Sequence, residues 1–231
     1  MRKKDLFKFI GVILMFFLGG SIIVEFLQGF GINTDKFDAK DLNYLECLLE
    51  LIYALGVYLI YRRYFRADYK EVKNGFKKYG DLILKYFAIF LAIKIASSVI
   101  TSIVGLIIGV QIGESENQNA IVSLTSSAPL MMLISTAILA PIVEEGIFRL
   151  SLRKVINNKY IFIILSGLIF GFMHIFPTDL SMSVALTYSI VYVTMGVYLA
   201  YVYVETDNIW VPIAVHALNN LISMIAIIMI S

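Results

Sequence analysis

Charged residues, cysteine, proline and histidine are all scarce in this chain of 231 residues. Charged residues make up 16%, and there are 4 prolines, 2 histidines and 1 cysteine. A charged fraction well below the roughly one quarter of soluble domains excludes a disordered chain, and the composition equally excludes collagen-like repeats and coiled coils. The single cysteine, Cys47, excludes an internal disulfide. The chain has no basic stretch interleaved with aromatic residues of the kind that indicates nucleic-acid binding, so no nucleic-acid partner is expected.

Hydrophobic residues, in contrast, make up 59% of the chain, and the mean hydropathy is +0.83. Long apolar segments can cross about 30 Å of hydrocarbon at about 1.5 Å per helical residue. A helix satisfies its own backbone polar groups in lipid. The sequence therefore predicts an all-α fold, a polytopic membrane helix bundle of about seven transmembrane helices. The predicted spans are 9–31, 43–61, 82–112, 128–150, 160–176, 181–204 and 208–230.

The distribution of basic residues predicts the orientation of the bundle. Of the 19 Lys and Arg residues, four lie in residues 1–8, seven in 62–78 and four in 149–159. Because positive charge stays in the cytoplasm, we expect a multi-pass protein of the cell membrane with a cytoplasmic N-terminus. We divide the chain into residues 1–120, which hold spans 1–3 and a basic cytoplasmic loop 62–80, and a functional core at 121–231.

Several ionisable residues lie inside the predicted spans, where an unpaired charge costs several kcal/mol. Glu25, Glu46, Glu50, Lys85 and Lys94 are candidates for structural pairing between helices. Glu46 and Glu50 share one face of the second span, and Lys94 in the third span is a plausible partner for them. A substrate or proton path is the alternative.

Two adjacent carboxylates, Glu144 and Glu145, interrupt an apolar helix in the fourth span. Adjacent residues on a helix point about 100° apart, so the two carboxylates cannot share one role. Glu145 and Arg149 are i, i+4 neighbours and are predicted to form an ion pair. Glu144 is left without a local partner and is a candidate general base or acid. A polar knot that holds helices together is the alternative.

Both histidines of the chain lie in apolar helices. His174 follows Phe170 by one turn, and His216 precedes Asn220 by one turn. Counted from the predicted cytoplasmic turns at 1.5 Å per residue, Glu144, His174, His216 and Asn220 all lie about 14–24 Å deep. This agreement in depth predicts that the four side chains meet in one site.

Small and rigid residues accompany these motifs. Pro141 lies just before the two adjacent glutamates, and Pro212 lies just before His216. Both prolines are expected to kink or widen the bundle at these places. Gly146, Gly167 and Gly171 are expected to permit close helix approach.

Three motifs, Glu-Glu-x-x-x-Arg, Phe-x-x-x-His and His-x-x-x-Asn, occur in that order at residues 144–149, 170–174 and 216–220. Together they resemble the motifs of the CAAX-protease and bacteriocin-processing (CPBP, or Abi) family of intramembrane proteases. The resemblance covers about residues 125–225. It implies hydrolysis of peptide bonds inside or at the edge of the membrane.

The resemblance also implies a role for each motif residue. Glu144 is implied to be the general base, with His174 orienting the water or relaying its proton. His216 and Asn220 are implied to stabilise the oxyanion of the tetrahedral intermediate, as amide hydrolysis requires. Structural support of the site is expected from Glu145, Arg149 and Phe170.

Zinc is an alternative to a purely organic site. Glu144, His174 and His216 could supply three ligands and leave a fourth position for water. The His-Glu-x-x-His arrangement is absent and no further histidine lies nearby, so we expect no required cofactor.

The function predicted from the sequence is a membrane-embedded endopeptidase. Its partners are expected to be the lipid bilayer and a peptide or protein substrate, lipidated or membrane-inserted, that enters from the cytoplasmic side. By the resemblance, the processing is CAAX-type or of the bacteriocin or peptide-pheromone type. A non-catalytic peptide-binding or immunity protein that uses the same cavity is the alternative. A transporter is a third reading, but no inverted repeat supports it.

Overall fold

The computed structural model describes residues 3–109, 116–175 and 181–230, and within these ranges the chain is almost entirely helical. One short 3₁₀ turn, Thr34–Lys36, connects the first two long helices. We number the α-helices in chain order as α1 (Lys3–Gly29), α2 (Ala39–Asn74), α3 (Phe76–Ile108), α4 (Glu116–Thr125), α5 (Pro129–Val155), α6 (Lys159–Met173), α7 (Met182–Thr206) and α8 (Trp210–Ile230).

Among the described residues, six helices are long and apolar enough to cross a membrane, namely α1, α2, α3, α5, α7 and α8. The shorter α6 has 15 residues and is therefore about 22 Å long. The predicted polytopic helix bundle is confirmed, and the predicted span 160–176 corresponds to the short α6.

The segment 62–80 is not a loop. It is helical apart from one glycine between α2 and α3, so the expectation of a loop at 62–80 is wrong. The segment contains no proline and is rich in Lys and Arg, which favour helices. The segment is also held by the turn between α7 and α8, because the Asp68 carbonyl oxygen accepts a 3.0 Å hydrogen bond from Asn208 Nδ2 and Asp68 Oδ2 accepts one of 2.9 Å from the Ile209 backbone N–H. The basic residues therefore lie on the parts of α2 and α3 that continue beyond the apolar segments of these helices.

Glycines bring α6 and α7 into close contact. A Cβ atom at Gly167 would lie 2.6 Å from the backbone nitrogen of Val197, and one at Gly171 would lie 2.6 Å from that of Val193. A Cβ atom at Gly146 would collide with a valine side chain of α2. The close helix approach predicted for these three glycines is confirmed.

Helix α5 changes its winding on both sides of the two adjacent carboxylates. Ser135–Leu139 and Gly146–Ser151 are π-helical, and Pro141 lies in the α-helical turn between them. Such π-helical insertions widen a helix and often occur at functional sites. Pro212, in contrast, is the third residue of α8, where a missing N–H breaks no helical hydrogen bond.

Candidate active site

The four predicted catalytic residues line one cavity. Its volume is about 800 Å³, and residues of all the helices from α2 to α8 line it. Glu144 comes from α5, His174 from the end of α6, and His216 and Asn220 from one face of α8. The convergence predicted from their depths is therefore present in the fold.

The cavity extends from these residues toward one end of the bundle. Thr101 near the end of α3, Ile227 near the end of α8 and Glu46 near the start of α2 all line it. The basic segments lie at the opposite end. In the orientation predicted from the basic residues this is the outer end, so the shape of the cavity does not favour the expected entry from the cytoplasmic side.

Glu145 connects two buried partners. Glu145 and Arg149 have no exposed surface, and Glu145 Oε2 lies 3.1 Å from Arg149 Nε, in an ion pair without hydrogen-bond alignment. Glu145 Oε1 accepts a 3.0 Å hydrogen bond from His216 Nδ1. Arg149 Nη2 also donates to the Gly196 carbonyl oxygen at 3.1 Å. The predicted ion pair is present, and Glu145 in addition holds one of the two histidines.

Phe170 packs between the buried arginine and both histidines. The Arg149 guanidinium lies 4.6 Å from the centre of the Phe170 ring, a cation–π contact. The ring centres of His174 and His216 lie 4.4 Å and 5.9 Å from that of Phe170. The Phe170 ring therefore limits where both imidazoles can lie.

Glu144 has a different environment from its neighbour. Its Oε2 atom is buried without a hydrogen-bond partner, whereas its side chain keeps 19% exposure to the cavity. The nearest cationic candidate is His216 Nε2, 3.9 Å away, beyond hydrogen-bond range. A carboxylate that lines a cavity and has one oxygen without a hydrogen-bond partner is a candidate to accept a proton from water.

Both histidines use Nδ1 for a structural hydrogen bond. His174 Nδ1 lies 2.8 Å from the Phe170 carbonyl oxygen, and a carbonyl can only accept, so Nδ1 carries the proton. The His174 ring also stacks on Tyr192, with 4.9 Å between centres and 19° between planes. His216 Nδ1 donates to a carboxylate in the same way. Each neutral imidazole therefore has its lone pair on Nε2.

Asn220 is held at both ends of its amide. Asn220 Nδ2 donates to the Thr136 carbonyl oxygen at 2.9 Å, and Asn220 Oδ1 accepts from Asn219 Nδ2 at 3.0 Å. Thr136 lies in the first π-helical stretch of α5. The amide is thus fixed between α5 and its own helix, with one further N–H on Nδ2.

Lys94 does not pair with Glu46 or Glu50. Its Nζ donates to Asn219 Oδ1 at 2.9 Å, so the pairing expected from sequence is wrong. Glu50 Oε2 is buried without a hydrogen-bond partner, and both glutamates line the cavity with Lys94. The face of α3 that carries Lys94 is turned toward α8, which a single helical pattern does not reveal.

The residues considered as zinc ligands share the cavity but form no metal-binding cluster. Across the described ranges, no three His, Cys, Asp or Glu residues are grouped so that they could hold a metal ion. Glu144, His174 and His216 line the same cavity wall, and both imidazoles have Nδ1 engaged.

Two residues of the site, Tyr192 and Asn219, belong to none of the sequence motifs and are not predicted from the sequence. Tyr192 stacks on His174 but lies in an ordinary apolar helix without a distinguishing spacing. Asn219 is adjacent to a motif residue, and its neighbourhood was the only signal that could have found it. The sequence identifies Lys94 and Glu50 as ionisable residues inside membrane spans, but it does not predict that they line this cavity.

The fold and the cavity together define an all-helical, multi-pass membrane protein with a carboxylate–histidine site. Residues 126–222 match the family model described as Type II CAAX prenyl endopeptidase Rce1-like. This match confirms the CPBP resemblance predicted from the three motifs.

Three curated bacterial proteins are each similar to about half of the chain. "Putative membrane peptidase YdiL" of Bacillus subtilis (strain 168) is 36% identical over 110 residues, 46% of this chain and 41% of the relative. "UPF0177 protein YajF" of Lactococcus lactis subsp. lactis (strain IL1403) is 37% identical over 126 residues, 51% and 63% of the two chains. "UPF0177 protein YvdC" of the same strain is 29% identical over 114 residues, 48% and 41%.

The matched region spans between 41% and 63% of the length of these relatives. No solved structure matches the chain.

Proposed function

We propose that this protein is a membrane-embedded endopeptidase that hydrolyses a peptide bond with a water activated by Glu144 and His174. The observation that carries the proposal is that Glu144, whose Oε2 atom has no hydrogen-bond partner, lines the same cavity as both histidines. The match of residues 126–222 to a family model of endopeptidases supports the same chemistry.

In the proposed mechanism, Glu144 takes a proton from the attacking water while His174 Nε2 orients that water. The new carbon–oxygen bond forms at the scissile carbonyl, whose oxygen becomes an oxyanion. Two groups donate hydrogen bonds to this oxyanion: Asn220 through Nδ2, and His216 through Nε2 in its imidazolium form, which is paired with Glu145 through Nδ1. When the carbon–nitrogen bond breaks, Glu144 returns the proton to the leaving amine.

The buried residues next to the site are proposed to hold these groups in position. Glu145 fixes the His216 ring through Nδ1, and the Phe170 carbonyl fixes the His174 ring in the same way. Arg149 neutralises Glu145 in the interior. Pre-organised donors of this kind need no rearrangement during the reaction.

The proposed substrate is a peptide segment that is lipidated or inserted in the bilayer. A cavity of about 800 Å³ lies within the roughly 300–1,000 Å³ range of ligand pockets, which suits a few residues. Three glutamates and one lysine line it, so a segment without acidic side chains fits best. CAAX-type, bacteriocin and peptide-pheromone processing all supply such segments.

We also propose that the protein requires no cofactor and that its N-terminus lies in the cytoplasm.

The test is cleavage of a quenched-fluorescent peptide library by the detergent-purified protein, with prenylated and unmodified members. Glu144→Gln is nearly isosteric and should lower cleavage at least about 100-fold, because general-base catalysis contributes about 100- to 10,000-fold. Glu25→Gln, at an exposed position of α1, is the matched control and should cleave like the wild type.

Each outcome of this test has a definite meaning. Cleavage by Glu144→Gln at the wild-type rate would contradict the mechanism. Cleavage that survives a strong zinc chelator would support a site without metal, and cleavage lost in chelator and restored by zinc would establish the zinc alternative. A wild-type protein that binds peptides without cleaving any would be a binding or immunity protein.

A further inference from the structure

A chain of side-chain hydrogen bonds crosses from α3 to α8 and reaches Asn220. Lys94 Nζ donates to Asn219 Oδ1 at 2.9 Å, Asn219 Nδ2 donates to Asn220 Oδ1 at 3.0 Å, and Asn220 Nδ2 donates to the Thr136 carbonyl oxygen at 2.9 Å. An ammonium can only donate, and a backbone carbonyl can only accept. The direction of the chain, and hence the orientation of both amides, is therefore fixed at its two ends.

The charge of Lys94 acts on this chain rather than on a carboxylate. In the described part of the molecule, no carboxylate oxygen forms an ion pair with Lys94, although Glu46 and Glu50 line the same cavity. Asn219, which accepts from the ammonium, keeps only 5% exposure. In such a low-dielectric setting, consecutive hydrogen bonds polarise one another.

The polarisation ends at the group that the proposed mechanism uses. An ammonium on Asn219 Oδ1 makes Asn219 Nδ2 a stronger donor, and its bond to Asn220 Oδ1 does the same for Asn220 Nδ2. One N–H of Asn220 is used by Thr136, and the second remains on the cavity wall.

We propose that Lys94 and Asn219 are positioning residues for Asn220, which they orient and polarise as an oxyanion donor. The inference rests on the proposed function, because it assumes that Asn220 contacts the tetrahedral intermediate. Lys94 lies outside residues 126–222, so α3 completes a site that the family-matched region does not hold alone.

The first test is steady-state kinetics of Lys94→Met, Asn219→Ala and the double variant. Each single change should lower kcat about 10- to 100-fold, less than the roughly 100- to 1,000-fold loss on removal of an oxyanion donor, and leave KM within about twofold. The double variant should be no worse than the poorer single variant, because both break one chain. Lys94→Arg should recover part of kcat, since a guanidinium also donates.

Lys85→Met is the matched control, because Lys85 lies on the same helix but is exposed. It should retain wild-type kcat and KM. Additive losses in the double variant would overturn the chain. A raised KM with unchanged kcat in Lys94→Met would also overturn it, and would mean that Lys94 binds an anionic group of the substrate directly.

The second test needs no activity. In protein labelled with ¹⁵N at asparagine, the Asn219 and Asn220 side-chain amide signals can be assigned by Asn→Ala variants. Lys94→Met should shift both signals and Lys85→Met neither, whereas an unmoved Asn220 signal would overturn the inference. If the wild-type protein hydrolyses nothing, the proposed function fails and this spectrum still decides whether Lys94 controls Asn220.

Discussion

Helices α1 and α5 are both apolar and 27 residues long, yet they have opposite surroundings. In the most apolar stretch of each helix, only 6% of the residues of α1 are buried inside the protein, compared with 44% of those of α5. Most of α1 therefore faces lipid, whereas α5 packs against α2, α6 and α8. A lipid-facing helix has to be apolar and long enough, but a central helix has to pack and also satisfy every polar group it carries.

The largest effect expected from this contrast concerns the buried ion pair of α5. Glu145→Gln leaves Arg149 charged and fully buried without its counter-ion, which costs about 3–5 kcal/mol in comparable pairs. We expect a large fall in the Tm of the purified protein together with loss of cleavage. Glu25→Gln, on the exposed surface of α1, should leave Tm unchanged.

A double variant sharpens this prediction. Glu145→Gln with Arg149→Met removes both charges and should recover much of the Tm, because no uncompensated charge remains. It should not recover cleavage, since His216 still lacks its carboxylate. An unchanged Tm in the single variant would show that the pair contributes nothing to stability.

The second prediction compares glycines of the two regions. Gly167→Val places side-chain atoms against the backbone of Val197 and should cost about 2 kcal/mol through overpacking. Gly11→Val in α1 is the matched control, because a Cβ atom there meets nothing within 4 Å. Thermal unfolding in detergent measures both. Equal losses of Tm would contradict the difference in packing between α1 and the α6–α7 contact.

The smallest effect is expected at the cavity wall formed by α2. Glu50 Oε2 has no hydrogen-bond partner, and Glu50 lines the same cavity as Glu46 and Glu144, where ionised carboxylates repel one another. Glu50→Gln removes this repulsion, so Tm should rise slightly, by the equivalent of about 1 kcal/mol or less. A fall in Tm would show that the Glu50 charge stabilises the protein.

Local spacing explains which contacts of the site could be predicted from sequence. Glu145 and Arg149 are one helical turn apart, so their pairing follows from helix geometry alone. The hydrogen bond between His216 and Glu145 joins residues 71 positions apart and depends on how α8 is rotated against α5. The partner of Lys94 depends in the same way on the rotation of α3, which apolar residues on all sides of a membrane helix do not specify.

The apolar parts of the helices could be predicted from the sequence, but their polar extensions could not. Apolar runs predicted the spans, because hydrocarbon thickness sets the length of such runs. They could not reveal that α2 continues to Asn74, since its polar end is stabilised by contacts such as that of Asp68 with the α7–α8 turn.

The short α6 has a consequence for the lipid around the protein. A helix of about 22 Å is shorter than a hydrocarbon layer of about 30 Å, so lipid beside it is drawn thinner to match. His174 directly follows the last residue of α6. Headgroups and their hydration are thereby brought closer to a residue that is proposed to orient water. We therefore expect the acyl-chain length of the surrounding lipid to affect how readily water reaches the site.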